Sequence, residues 1–168
     1  MLSMLEKTPG RLASLSEGLS AAQLSTPPGE GEWSAREVLA HLRACADVWG
    51  KAIAQIVSQD KPWQSQDKLT FKAVNPTTWI KQTDYRELDF ETSLQAFTSQ
   101  RAELLRTLKR LEPADWSRTA MVTGAGKRRE RSAYTYAQWL AIHEKPHIRQ
   151  FERIVNEMRG ADPASRLK

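Results

Sequence analysis

Two of the chain's three histidines, His143 and His147, stand four residues apart inside an apolar stripe made by Tyr136, Leu140, His143, His147, Phe151, Ile154 and Met158. On a helix, four residues advance the side chain by about 400°, so both imidazoles face one way with Cβ atoms within about 6 Å. A polar group on an inward face is costly unless it is satisfied. Two imidazoles at this spacing can be satisfied by sharing one metal ion. The third histidine, His41, lies far upstream on the edge of another apolar stripe, so the fold is constrained sharply. A three-histidine site exists only if the helix of His41 packs against the helix of His143 and His147.

The segment around His41 has the clearest helix start in the chain. Ser34 and Glu37 have the spacing of a capping box, and Trp33 before the cap can staple onto Val38. The helix is read to about residue 57, with Val38, Leu42, Cys45, Trp49, Ile53 and Ile56 on one stripe. At 100° per residue His41 falls about 60° from Val38, where it can look inward.

Leucines at 2, 5, 12, 15 and 19 mark a first helix, which Thr8-Pro9 is read to start or interrupt, with proline in a first turn. Residues 25–31 are a breaker-rich loop. A third helix over 91–111 has Leu94, Phe97, Leu104, Leu105, Leu108 and Leu111 inward, joined by the stem of Arg101. The fourth starts at a second capping box, Thr135 with Gln138, and stops at Gly160. Pro146 within it removes one amide and crowds the Ile142 carbonyl, which predicts a kink between the two histidines.

Residues 58–90, with Lys61-Pro62-Trp63 and Asn75-Pro76, form a long crossover carrying a short helix near 77–83. Between the third and fourth helices a turn at Trp116 and the basic stretch 123–131 read as an exposed hairpin. The expected fold is therefore all-α: an antiparallel four-helix bundle over residues 1–160, with the long crossover between helices 2 and 3 and a C-terminal tail over 161–168.

A chain of 168 residues fits one domain, and 40% hydrophobic with 27% charged residues is ordinary for a globular protein. The single cysteine, Cys45, cannot form an internal disulfide, and no signal-peptide pattern opens the chain, so a cytoplasmic location is expected. No apolar run reaches the roughly 20 residues that cross a bilayer. The net charge of +5 and the cluster Lys127-Arg128-Arg129-Glu130-Arg131 raise a nucleic-acid reading. No helix-turn-helix spacing, zinc-finger pattern or interleaved aromatic motif accompanies the cluster, which reads as a solvated loop.

His143-Glu144-Lys145-Pro146-His147 matches HExxH literally, the zinc protease pattern in which the glutamate is the base. Pro146 distorts that helix, and no histidine follows His147 to complete such a site. Glu144 points about 100° away from His143 and is read as a surface or supporting residue. Tyr136 and Gln150 are better placed to touch a pocket. Cys45, four residues after His41, makes a closed His₃Cys site the alternative to an open one; a small core residue is the plainer reading. Trp33, Trp49 and Trp139 recur around the ligand helices as core filling, or as the wall of a substrate pocket.

With these residues in view, the chain resembles the DinB-like (YfiT-like) superfamily of metal-binding four-helix bundles. The resemblance rests on Gly31-Glu32-Trp33-Ser34-Ala35-Arg36-Glu37-Val38-Leu39-Ala40-His41-Leu42, on Thr83-Asp84-Tyr85, and on His143-Glu144-Lys145-Pro146-His147-Ile148-Arg149-Gln150. It implies a divalent metal, zinc or nickel, on His41, His143 and His147, and a homodimer. It also implies thiol-dependent transfer or isomerisation, with a small-molecule substrate and a low-molecular-weight thiol as partner; an open three-histidine site would equally let the ion hold hydroxide for hydrolysis. A bundle that binds metal or ligand without turnover, as a sensor or interaction protein, is the competing reading.

Overall fold

Ser34 caps its helix by the mechanism its spacing predicts. Its Oγ accepts the Glu37 amide at 3.2 Å, and Glu37 Oε2 accepts the Ser34 amide at 2.9 Å. From this cap the helix α3, Ala35–Val57, runs as the most buried element of the chain. Serine-to-alanine loss at such a cap costs about 1 kcal/mol. Ser34→Ala is therefore expected to lower the urea midpoint by that equivalent with an unchanged m-value.

The computed structural model describes residues 1–58, 69–124 and 126–160. Lys61-Pro62-Trp63 and the tail 161–168 lie outside the described residues. Around α3 stand three further long helices, α1 (Leu2–Ser16), α5 (Phe90–Lys109) and α7 (Ala133–Gly160), with short α2 (Ala21–Ser25), α4 (Pro76–Trp79) and α6 (Pro113–Trp116) between them. α3 packs on α7 and α5, and α1 on the same two helices, so α1 and α3 are diagonal.

The helix directions follow from paired residues. Going along α3, His41 meets His147 and Trp49 meets Trp139, so α3 and α7 are antiparallel. Arg43 pairs with Ser93, and Asp47 with Gln100, so α5 runs parallel to α3. The crossover after α3 thus returns the chain along the bundle before α5 begins. Asp47 pins it, accepting Trp79 Nε1–H at 3.1 Å, the Tyr85 hydroxyl and the Gln100 amide. The short helix expected near 77–83 is α4, capped by Asn75, followed by a 3-10 turn Ile80–Gln82.

Three expectations need correction. Thr8-Pro9 neither starts nor interrupts α1, which passes through Pro9. The Thr8 hydroxyl is used elsewhere, facing Met4 O at 3.1 Å and Glu144 Oε2 at 2.7 Å. The cap of α7 is Ser132 rather than Thr135: Ser132 Oγ accepts the Thr135 amide at 3.1 Å, so the helix starts earlier. Finally, the hairpin before α7 is larger than expected. β2 (Thr119–Thr123) and β3 (Arg129–Ser132) pair antiparallel, Ala120 opposite Arg131, and β1 (Thr70–Lys72) joins β2 in parallel. Ala120 and Val122 turn inward, so this small sheet packs on the bundle instead of projecting from it.

Candidate metal centre

His41 on α3 and His143 and His147 on α7 converge where the two helices cross. His143 Nε2 lies 3.3 Å from His41 Nε2 and 3.2 Å from His147 Nε2. Donor atoms of all three lie within 4.8 Å of one another. An ion with nitrogen ligands at about 2.0–2.1 Å in tetrahedral directions sets neighbouring nitrogens about 3.3 Å apart. The donor set therefore fits one divalent ion. α7 is continuous through Pro146, so both its histidines stay on one face.

The environment keeps these imidazoles neutral. Burial lowers His41 to about 4, with His147 and then His143 adding repulsion. The same burial, followed by repulsion from His147, lowers His143 to about 4. His147 is lowered by burial against an opposing hydrogen bond from Gln150. At neutral pH no proton has to be displaced before ligation.

Gln150 has a definite part in this. His147 Nδ1 lies 3.0 Å from Gln150 Oε1. With the amide oxygen accepting, the proton sits on Nδ1 and Nε2 presents its lone pair to the site. Trp33 stacks on His147 at 6.1 Å and 12° and leans on His41 at 5.1 Å. Trp49 meets His143 edge-on, at 5.0 Å and 89°. Tryptophan thus clads the three histidines of both helices. Tyr136, expected near a pocket, lines a cavity beyond Trp49.

Cys45 Sγ is 3.5 Å from His41 Nε2 and 4.0 Å from His143 Nε2. It does not belong to the group whose donors all lie within 4.8 Å of one another. Burial, with the charge of Glu144 second, pushes its thiol up to about 12.

Glu144 departs from the surface alternative read for it, being 0% exposed. It turns away from the triad, accepting Arg101 Nη2 and facing Thr8 Oγ1 at 2.7 Å. Burial raises its carboxyl above the usual range, with Arg101 and Thr8 opposing. A carboxylate engaged this way is not placed to act as an HExxH base. Arg101 buries its charge as well as its stem, and its Nε and Nη1 have no hydrogen-bond partner among the described residues. An arginine inside an apolar stripe was the one signal in the sequence that a buried counter-charge had to exist.

The sequence profile of the DinB superfamily matches residues 4–151, nearly the whole bundle. The chain belongs to the DinB superfamily. Two relatives named for an inferred metal-dependent hydrolase activity come from Geobacillus. The protein of Geobacillus thermodenitrificans (strain NG80-2) is 26% identical over 149 residues, covering 89% of this chain and 79% of the relative. That of Geobacillus kaustophilus (strain HTA426) is 30% identical over 142 residues, covering 84% and 75%. Among solved structures, YfiT from Bacillus subtilis, described as a "probable metal-dependent hydrolase with an unusual four-helix bundle topology", superposes with a TM-score of 0.74. It is 17% identical, covering 94% of this chain and 85% of YfiT, and that likeness carries the fold.

Proposed function

We propose that this DinB-superfamily chain is a metal-dependent enzyme acting on a small electrophilic molecule, by hydrolysis or by transfer of a low-molecular-weight thiol. The observation that supports it is the convergence of three neutral imidazole nitrogens, a donor set that leaves a coordination position free. His41, His143 and His147 hold the ion, with zinc or nickel the metals imidazole suits. Such an ion supplies Lewis acidity and lowers the pKa of a water or thiol that joins it. Trp33 and Trp49 shield the imidazoles, and Gln150 fixes the tautomer of His147.

Elemental analysis of the purified protein tests the ligand set. One ion per chain is expected, lost in His41→Ala, His143→Ala and His147→Ala and kept in Cys45→Ala. Retention in His41→Ala would remove α3 from the site, whereas loss in Cys45→Ala would make the site closed and structural. Activity against thiol–electrophile pairs and activated esters should vanish on chelation and return with metal; activity surviving chelation would overturn the enzyme reading. Gln150→Ala removes the acceptor behind His147 and is expected to weaken metal affinity by about 10–100-fold, as measured by competition with a chromogenic chelator.

A further inference from the structure

Behind Trp49 lies a cavity of about 480 Å³ between α3, α7 and the small sheet. Its walls are aromatic and its charged lining has one sign. Lys51, Lys72 and Arg131 all line it, and no carboxylate does among the described residues. Several cations elsewhere are paired with acids: Arg11 with Glu152, Arg86 with Glu37, Lys109 with Glu6, and Arg153 with Glu32 and Glu157. The three around the cavity are seated differently. Arg131 lies 4.0 Å over the ring of Trp139, and Lys51 Nζ lies 4.3 Å over that of Trp79. A cation seated on a ring face is positioned without spending its charge on a carboxylate. The stem of Lys72 passes over Gly124, where a Cβ would come within 2.6 Å of Lys72 Cγ. Glycine there, at φ +82°, leaves the lysine its room.

We infer that this cavity binds a flat, apolar small molecule carrying an anionic group, with the apolar body among the tryptophans and the anion among Lys51, Lys72 and Arg131. The volume suits a drug-sized or smaller ligand, and a mostly apolar wall with a few convergent polar groups is what small-molecule sites share. Trp49 forms part of the cavity wall and also packs edge-on against His143, so the cavity adjoins the triad. That the ligand is the substrate rests on the metal-enzyme reading above; that the cavity prefers an anion does not.

The probe is 1-naphthoate, compared with neutral 1-naphthamide, in titrations followed by tryptophan fluorescence and calorimetry on the full chain. Charge-assisted contacts in the wild type are expected to favour naphthoate by about ten-fold in Kd, less at high salt because the cation heads are partly exposed. The preference should fall to near equality in Lys72→Met/Arg131→Met, with naphthoate losing far more affinity than naphthamide. Should that pair fail to fold by circular dichroism, Lys51→Met/Lys72→Met, both exposed positions, carries the same expectation. Equal affinity of the two probes for the wild type would overturn the inference. All titrations are repeated on chelator-stripped protein and on His41→Ala. Naphthoate preference retained there supports the cavity even if no metal enzyme exists; preference lost there would put the anion on the metal and overturn it.

Discussion

Glu144→Ala is expected to destabilise the bundle by about 3–5 kcal/mol, the cost of breaking a buried ion pair from one side. Arg101 is 2% exposed and Glu144 0%, and two of the arginine's nitrogens already lack partners among the described residues. Without the carboxylate the buried guanidinium has no charge partner among the described residues. That loss is a large fraction of the 5–15 kcal/mol typical of a domain. Urea unfolding should show it as a shifted midpoint with unchanged m-value. Arg101→Met/Glu144→Met should regain most of the stability, because apolar residues of similar volume can replace a buried pair at little cost. If the double variant is as unstable as the single one, the damage comes from packing around Thr8 and Phe97 rather than from an unpaired charge.

The same residue shows where sequence reasoning stops. A helical wheel states that Glu144 points about 100° from His143, but not what lies in that direction. α7 packs on both α3 and α1, so two of its faces are buried, and the Glu144 direction leads to Thr8 and Arg101 instead of solvent. Local signals were readable where only local groups are involved: the Ser34 box closes within four residues, and the stripes of α3, α5 and α7 are periodic. The triad was legible because the chain has only three histidines and each lies on or beside an inward stripe. Thr8 was misread because its hydroxyl serves a partner 136 residues away. The sheet escaped for a related reason. β1 is three residues long, exposed at both ends, and exists by parallel pairing with a strand far along the chain.

Metal loading is the second large effect. An ion that binds only the folded chain stabilises it by about 4 kcal/mol when free metal is a thousand times its Kd. At a urea m-value of about 1–3 kcal/mol/M, chelation should therefore lower the midpoint by more than about 1 M. His143→Ala should show no such shift, since His143 Nε2 lies 3.3 Å from His41 Nε2 and 3.2 Å from His147 Nε2, at the centre of the proposed ligand set. Proton linkage gives a second readout on chelated protein. His41 and His143 are held near 4 in the fold against 6.5 when unperturbed. Between those values the unfolded chain binds more protons than the folded one, so stability falls as pH falls through the window from 6.5 toward 4. Above it the neutral imidazoles cost nothing by this route. Replacing His41 by alanine should flatten that slope, and replacing both His41 and His143 should flatten it further, leaving the contribution of His147, which burial also lowers. Because burial raises the Glu144 carboxyl and so acts in the opposite sense, the decisive comparison is with the variant: a slope identical in metal-free wild type and His41→Ala would mean that the imidazoles are not buried together, and the proposed three-ligand site would fall with them.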